Sequence, residues 1–375
     1  MAFFKTQFNS FGLDISDGSL KLISINKNLK GVAVNSWGIK KLTTGLICKG
    51  EIQDTDKLAT EIKNLIKEAR GKTLTPYVVS VLPESKTFIK LFHIQRPKGK
   101  LTEDAIKNSI NQELPNHIPV ELENLKYDFQ IIHKNQEFLK ILVGAVPKNI
   151  VQQYIETLTK AGLKILALEI EAQSITRAIF EDNYIKNIIH FDLKKLKFKK
   201  NKPLPETNNE KLTIIADLGA NRSSLIFWHK GTIQFTSTLE ISGNEITNTI
   251  AKKLNMSFEK AEKAKIVCGL DNKKGKGEVF DIISKFFEDL VQDIAKNLKY
   301  YSQNNTISLK DVKILLSGGS SCMLGLENFI KKQTQSYVTV ANPKINLDPK
   351  QNIIPEKYTA GFASAIGLAL RHLIE

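Results

Sequence analysis

Residues 13–23, Leu-Asp-Ile-Ser-Asp-Gly-Ser-Leu-Lys-Leu-Ile, and residues 216–226, Ala-Asp-Leu-Gly-Ala-Asn-Arg-Ser-Ser-Leu-Ile, follow one pattern in the two halves of the chain. Each stretch has an apolar residue, an aspartate, a second apolar residue, a small turn, a hydroxyl residue and a further apolar run. The pattern predicts a β-hairpin in each half. Because two similar hairpins on two similar domains would face each other across a cleft, the repeat predicts a duplicated two-domain α/β fold.

The turns of these hairpins are suited to binding phosphate. Successive backbone N–H groups in a tight turn form a concave nest that binds anions without side-chain charge, so two opposed turns can hold a triphosphate between them. Asp14 and Asp217 stand at matching places in the two hairpins, where carboxylates would meet a Mg²⁺ ion that keeps several of its waters. Either aspartate alone could equally be a turn former. Their repetition favours the metal-nucleotide interpretation.

A third motif is a buried strand that opens into two glycines before a helix. It runs Ile314-Leu315-Leu316-Ser317-Gly318-Gly319-Ser320-Ser321, and the helix is predicted around Leu324–Lys332. Glycines at this place let the backbone approach a flat ligand closely, and the helix presents its N-terminus. The motif is common and by itself unspecific, so it adds weight only beside the hairpins.

The length, hydrophobic content and charge of the chain limit the classes of protein to which it can belong. The chain has 375 residues, of which 42% are hydrophobic, enough for two domains that share a cleft. Lysine supplies nearly all of the net charge of +15. Arginine, which reads phosphates and base edges bidentately, occurs only at positions 70, 96, 177, 222 and 371. Solvated lysine-rich faces are therefore favoured over a nucleic-acid surface, and an anionic membrane stays an alternative partner.

The cysteine spacing and the distribution of apolar residues indicate the cellular compartment. The three cysteines, Cys48, Cys268 and Cys322, have no Cys-x-x-Cys spacing, so neither a disulfide framework nor a zinc site is expected. No run of eighteen apolar residues occurs, and residues 1–9 lack the apolar core and cleavage site of a signal peptide. We expect a cytoplasmic protein.

The order of elements predicts the domain organisation. A strand, helix, strand, strand, helix series interrupts the first domain, with the first of its helices capped by Thr102 and ending before Pro115. A lysine-rich stretch with seven lysines in residues 186–202 then reads as a linker or long loop. We predict a first domain over 1–83 and 163–185, an inserted α+β subdomain over 84–162, a linker or loop over 186–210, a second domain over 211–254 and 311–356, a helical subdomain over 255–310, and a C-terminal helix over 357–375 that returns to the first domain.

Taken in order, these motifs resemble the actin, Hsp70 and sugar-kinase superfold, and within it the branch of FtsA and PilM. The resemblance covers nearly the whole chain apart from the lysine-rich stretch. It implies an actin-like α/β fold with a nucleotide cleft, in which the inserted subdomain sits where FtsA and PilM place theirs. The PilM-like segments are Gly12-Leu13-Asp14-Ile15, Leu168-Glu169-Ile170-Glu171-Ala172, Asp217-Leu218-Gly219-Ala220-Asn221, Ile241-Ser242-Gly243-Asn244-Glu245-Ile246-Thr247, Ala261-Glu262-Lys263-Ala264-Lys265 and Leu316-Ser317-Gly318-Gly319.

The resemblance implies roles for individual residues around Mg·ATP. Asp14, Ser16 and Lys21 would belong to the first phosphate loop, and Asp217, Gly219, Asn221 and Ser223 to the second. Gly243, Glu262 and Lys265 would lie against the ribose and base, with Gly318, Gly319 and Ser320 closing over adenine and sugar. Glu171 matches the place from which relatives position the attacking water, although a helix N-terminal carboxylate that interacts with the helix dipole explains it equally well.

Three departures from the family pattern bear on turnover. Ser16 replaces the usual glycine of the first loop, Ser223 stands where threonine is usual, and Asn244 takes the second place of a common Gly-Gly. A Cβ at residue 16 narrows the approach to the phosphates. We therefore expect ATP binding with slow or negligible hydrolysis.

The resemblance to the PilM family implies a scaffold in type IV pilus assembly, or in a related type II secretion system. The partner would be the cytoplasmic N-terminal tail of a PilN-like membrane protein, bound between the first domain and the inserted subdomain, so membrane contact would be indirect. Self-assembly through the inserted subdomain stays an alternative. Two rival functions remain: an FtsA-like division protein, against which the absence of an added amphipathic tail counts, and a small-molecule kinase, for which no acceptor site is recognisable.

Overall fold

The computed structural model describes residues 9–29, 31–72, 74–97, 99, 101–181, 211–302 and 307–374. The lysine-rich stretch predicted as a linker, 186–210, lies outside the described residues, as does most of the N-terminal stretch 1–9. No helix within the described ranges has the length and apolar character needed to cross a bilayer.

The described parts of the chain form mixed sheets with helices packed on them. The strands are β1 (Phe11–Ser16), β2 (Ser19–Asn28), β3 (Gly31–Lys41), β4 (Ile47–Cys48), β5 (Glu51–Ile52), β6 (Arg70–Gly71), β7 (Tyr77–Leu82), β8 (Phe88–Gln95), β9 (Leu125–Lys134), β10 (Phe138–Pro147), β11 (Lys164–Ile170), β12 (Thr213–Leu218), β13 (Ser223–His229), β14 (Thr232–Leu239), β15 (Lys313–Ser317) and β16 (Tyr337–Val340). The helices are α1 (Thr55–Glu68), α2 (Glu103–Glu113), α3 (Lys148–Lys160), α4 (Glu171–Ile179), α5 (Gly243–Lys253), α6 (Phe258–Cys268), α7 (Glu278–Tyr301), α8 (Leu326–Thr334), α9 (Glu356–Thr359) and α10 (Ala363–Ile374).

Two sheets repeat one strand order, which confirms the duplication predicted from the hairpins. The first sheet runs β11-β7-β1-β2-β3-β6, and the second contains β16-β15-β12-β13-β14. In each, an antiparallel hairpin continues into a third antiparallel strand on one side, while two parallel strands extend the sheet on the other. The hairpins β1–β2 and β12–β13 are thus equivalent elements of two similar domains.

The unit between β7 and α3 has its own apolar core but not a separate sheet. Phe92, Ile110, Phe129 and Ile141 are buried between α2 and the strands β8, β10 and β9. Strand β8 also pairs antiparallel with β14, with Phe235 opposite Lys90, so the three strands extend the sheet of the second half. Sequence reasoning placed this unit in the first domain and missed the pairing.

The last helix packs on the first sheet and buries a charged cluster. Helix α10 lies against α4 and β1, and a Cβ added at Gly12 would stand 2.6 Å from the Ala369 nitrogen. Beside this contact Arg177 makes two hydrogen bonds to Glu169, of 2.8 and 3.0 Å, and a third of 2.7 Å to the Gly367 carbonyl. Arg371 of α10 pairs with the same carboxylate.

Most local predictions are confirmed. The turn at Asp17-Gly18 separates β1 from β2, and the Thr102 hydroxyl accepts a hydrogen bond from the Ala105 amide at the start of α2. The helix expected at Leu324–Lys332 begins two residues later, since a short 3-10 helix, Gly319–Cys322, precedes it. The division into domains stays a prediction.

Candidate functional site

The first hairpin carries a buried ion pair below its turn. Asp14 and Lys21 lie opposite each other in the register of β1 and β2, and the Lys21 ammonium stands 2.9 Å from Asp14 Oδ2. The other carboxylate oxygen, Asp14 Oδ1, is buried and has no hydrogen-bond partner among the described residues. Ser16 turns its hydroxyl to the Ser19 carbonyl at 2.9 Å, so its side chain braces the turn.

The second hairpin places its aspartate at the matching position but has a longer turn, of four residues between Leu218 and Ser223 instead of two between Ser16 and Ser19. Asp217 stands opposite Ser224 on β13 and beside Ser317 on β15. The Gly219 amide donates to the Arg222 carbonyl at 3.0 Å, and a Cβ on Gly219 would overlap that carbonyl. Only glycine fits this closure of the turn, and Ser223 begins the buried strand that follows.

The two turns touch each other. A Cβ added at Gly18 would stand 2.6 Å from Asn221 Nδ2. The Arg222 guanidinium crosses from the second hairpin to the first domain, where it lies 3.5 Å from Asp17 Oδ1 and donates a 2.8 Å hydrogen bond to Ser85. The hairpins therefore face each other across a cleft, as the sequence predicted.

Several buried carboxyl groups lie close together in this cleft. Burial, together with the Asp14 charge, raises the pKa of Glu171 to about 8, although Arg222 opposes the shift. Burial raises the pKa of Glu84 to about 7 against hydrogen bonds from Thr236 and Ala172 and the charge of Arg222. Burial likewise raises the pKa of Asp217. Perturbed carboxylates of this kind cluster at functional sites.

Lys21 and Arg222 lie among these carboxyl groups and oppose their negative charge. Burial works to lower the pKa of Lys21, but the charge and hydrogen bond of Asp14, with help from Glu171 and Asp217, raise it above its ordinary value. The pKa of Arg222 is also raised, because Glu171 and Asp17 outweigh its burial. Both side chains therefore stay charged, and the cleft contains these two cations among a larger number of carboxyl groups.

The predicted base and sugar residues gather beside the second hairpin. The Gly243 amide donates to the Gly219 carbonyl at 3.0 Å, and the Asn244 amide to the Ala220 carbonyl at 2.7 Å. A Cβ on Gly243 would stand 2.7 Å from Ser320 Oγ. Gly318 has a φ of +82° and would clash with Leu218 if it carried a side chain, whereas Gly319 faces open space. Asn244 Nδ2 donates to Asn221 Oδ1 at 2.5 Å.

Lys265 holds the start of α5 in place. Its ammonium donates to the Gly243 carbonyl at 2.9 Å and to Thr247 Oγ1 at 2.8 Å, and pairs with Glu262 at 2.7 Å. These contacts use all three donors of the ammonium. The structure thus brings Gly243, Glu262 and Lys265 together, and gives Lys265 a positioning contact with the backbone rather than an open donor.

Sequence reasoning missed four groups at this site: Asp17, Glu84, Ser85 and Arg222. Asp17 was assigned only to a turn, and Arg222 only to the arginine count. The signal that could have found Arg222 is its place in the second hairpin, one residue before the predicted phosphate-loop Ser223. Glu84 and Ser85 follow β7 in a short 3-10 helix, and nothing local distinguishes them.

The repeated sheets, the facing hairpins and the cleft between them define a protein of the actin-like fold. Comparison with known proteins gives the family: a sequence model described as type IV pilus assembly protein PilM matches residues 12–373. The chain belongs to this family.

Individual relatives agree with that fold. In the solved PilM-PilN type IV pilus biogenesis complex, a chain aligns with a TM-score of 0.77 at 22% identity, covering 98% of this chain and 99% of that one. The cell division protein FtsA of Staphylococcus epidermidis is 22% identical over 368 residues, which span 88% of this chain and 74% of that protein. MreB 5 of Spiroplasma citri, solved with AMPPNP, aligns with a TM-score of 0.50 at 12% identity, covering 95% and 93%.

Proposed function

We propose that the protein is an ATP-binding scaffold of the type IV pilus assembly platform, or of a related type II secretion platform, and that it binds the cytoplasmic N-terminal tail of a PilN-like membrane protein. The observation that carries the proposal is the combination of two sites: the cleft between the hairpins and a separate groove beside the inserted unit. The protein would then be cytoplasmic and reach the inner face of the membrane through this partner.

The cleft supports nucleotide binding by its backbone. Both turns are closed by glycines or small residues and lie against each other, so their N–H groups can meet a phosphate chain from two sides. The solved MreB 5 with AMPPNP is a nucleotide-bound protein of the same fold. Gly243, Gly318, Gly319 and Ser320 lie beside the second turn, where the rest of the nucleotide would extend.

The aspartates fit a magnesium ion bound together with the phosphates. Asp14 Oδ1 is buried and lacks a hydrogen-bond partner within the described residues, which is a costly arrangement unless a cation or water meets it. No cluster of three or more histidine, cysteine, aspartate or glutamate side chains forms a metal site in the described ranges. Mg²⁺ characteristically takes one or two carboxylates and completes its shell with waters and substrate phosphates. Asp14 and Asp217 would supply those carboxylates, and the ion would neutralise phosphate charge.

The protonation state of Glu171 supports slow hydrolysis of ATP. A glutamate that orients water for attack on a phosphate acts best as a carboxylate that accepts a hydrogen bond. With its pKa raised to about 8, Glu171 is largely protonated at neutral pH. It stands at the first position of α4, so its place also suits interaction with the helix dipole. We infer that ATP serves mainly to fix the two domains.

The second site is a groove of about 310 Å³ between the first domain and the inserted unit. Its walls combine apolar and charged groups, which suits an extended peptide that offers alternating side chains. Lys86 pairs with Glu51 at 2.5 Å on one side, and Lys148 donates to the Glu123 carbonyl at 2.5 Å. The groove is lined by Glu51, Lys86, Val120, Asn124, Pro147, Lys148, Asn149 and Ile150.

A single substitution in the groove tests the peptide proposal. Val120→Asp places a charge in the apolar lining, and we expect it to weaken binding of a PilN-like N-terminal peptide by about tenfold or more in calorimetry. Val267→Asp is the matched control, because Val267 is 61% exposed on α6 outside the groove. Unchanged binding by the Val120 variant would place the peptide elsewhere. A point variant is preferable to removal of residues 86–161, since that deletion would also strip β8 from β14.

A further inference from the structure

Neither the family resemblance nor the proposed function assigns a role to Arg222. Its side chain is 18% exposed, and the guanidinium extends from the turn of the second hairpin across to the first domain. Five carboxylates share this neighbourhood, those of Asp14, Asp17, Glu84, Glu171 and Asp217. A guanidinium has five N–H donors in a fixed planar fork, which can bind a phosphate group bidentately.

The present contacts of Arg222 are replaceable. It approaches Asp17 Oδ1 at 3.5 Å through Nη2 and donates to the neutral Ser85 hydroxyl at 2.8 Å through Nη1, so it forms no bidentate pair. Both partners have other bonds. Asp17 Oδ1 accepts from the Gly50 amide at 3.1 Å, and the Ser85 hydroxyl donates to the Lys49 carbonyl at 3.1 Å. Arg222 can therefore turn away without leaving either group buried and unsatisfied.

The order of groups along the cleft decides which part of a ligand could reach this side chain. Gly243, Ser320 and the start of the second turn gather on the side of the second domain. Arg222 instead faces Asp17, Ser85 and Glu171 of the first domain. A nucleotide whose base and sugar lie beside Gly243 would carry its phosphates toward Arg222, and the last phosphate would come nearest.

We propose that Arg222 is the specificity-determining residue for the terminal phosphate, so that it makes the cleft prefer a nucleoside triphosphate to a diphosphate. On binding, the guanidinium exchanges Asp17 and Ser85 for the last phosphate. This inference rests on the proposed nucleotide site. A bidentate, charge-assisted contact made only to the last phosphate raises affinity for the triphosphate and leaves affinity for the diphosphate nearly unchanged.

The test compares Mg·AMPPNP with Mg·ADP in calorimetry on the full chain. Arg222→Gln should lose about tenfold or more in affinity for AMPPNP and less than about threefold for ADP. Arg222→Lys, which keeps the charge but not the fork, should lose an intermediate amount for AMPPNP alone. Arg70→Gln is the control, since Arg70 is exposed and stacks on Trp37 outside the cleft. Both ligand affinities should stay unchanged in that control.

Other results of this experiment distinguish a failure of the Arg222 inference from a failure of the proposed nucleotide site. Equal losses for both ligands would overturn it, because Arg222 would then only hold the domains together. Unchanged affinities would overturn it as well. A wild-type protein that binds neither ligand would overturn the nucleotide proposal itself, and the inference with it. If Arg222→Gln does not fold, Arg222→Lys must still lower the ratio of AMPPNP to ADP affinity, and an unchanged ratio would refute the inference.

Discussion

Arg177 and Glu169 form a bidentate ion pair in which neither side chain is exposed to solvent. Arg371 of α10 shares the same carboxylate, so one acid holds two buried cations between β11, α4 and the last helix. Isolated buried charges are strongly unfavourable, and a buried pair stabilises a fold only relative to the broken pair. The position of α10 on the first sheet therefore depends on Glu169.

Replacement of this acid should destabilise the protein severely. Glu169→Gln removes the negative charge that pairs with the buried Arg177 and with Arg371, and we expect a loss of about 3–5 kcal/mol in the free energy of unfolding. Urea denaturation monitored by circular dichroism measures it. Glu288→Gln, on the exposed face of α7, should change stability by less than about 0.5 kcal/mol. A loss below about 1 kcal/mol for the Glu169 variant would contradict the assignment.

Removal of Asp217 should weaken nucleotide binding. In the proposed site this carboxylate meets Mg²⁺ through water, so Asp217→Ala should reduce Mg·ATP affinity by at least about tenfold, roughly 1.4 kcal/mol. Calorimetry with and without magnesium provides the measurement, and the loss should be larger with the metal. Asp289→Ala, at an exposed position of α7, is the matched control. A folded Asp217 variant that binds Mg·ATP as tightly as the wild type would disprove the role.

The stability of the protein should depend on pH through Glu171. Its folded pKa of about 8 lies above the ordinary 4.5, so the folded state holds this proton more tightly than the unfolded state. The resulting stabilisation is complete below about pH 4.5 and is lost as the pH rises through 8. Because Glu171→Gln stays neutral at every pH, it should be more stable than the wild type at pH 9, by roughly 3–5 kcal/mol, and the difference should fall below about 1 kcal/mol at pH 5.

Thermal or urea unfolding at the two pH values checks the Glu171 prediction. Glu327→Gln, at an exposed site on α8, should show no difference from the wild type that grows with pH. A Glu171 variant that is equally or less stable than the wild type at pH 9 would show that this carboxyl is not held neutral in the folded state.

Hydrolysis of ATP should be slow. Ser16 braces its own turn, and Glu171 is largely protonated at neutral pH, so neither group prepares a water molecule for attack. Steady-state phosphate release should fall far below the ~10 s⁻¹ that is typical of metabolic enzymes. Turnover near that value in the presence of a small-molecule acceptor would instead favour a kinase.

Local pattern was enough to predict the hairpins and their aspartates. The runs around Asp14 and Asp217 repeat the same residue types, and each repeat forms its turn from neighbours in the sequence. The Thr102 cap is similarly local, because its partner lies three residues away. Such contacts depend on propensity and spacing, which a single sequence displays.

Contacts between distant segments could not be predicted in this way. The partners of Arg222 are Asp17 and Ser85, and they come within reach only after the two domains have approached each other. The pairing of β8 with β14 likewise joins edge strands whose own patterns allow several neighbours. Burial of Glu84 and Glu171, which sets their raised pKa values, is a property of the assembled cleft rather than of their sequence neighbours.

The junction between β8 and β14 connects the inserted unit to the second domain. It has one registered residue pair, Phe235 opposite Lys90, supported by a 2.8 Å hydrogen bond from Lys90 to the Tyr300 hydroxyl and by the Phe235 and Tyr300 rings with centroids 5.8 Å apart. A displacement of the inserted unit would be carried to the second domain through this junction, and to the first domain through the chain and through Ile89, Leu142 and Val146, which share the core of that domain. The β8–β14 junction therefore links the inserted unit noncovalently to the second half within the described part of the chain.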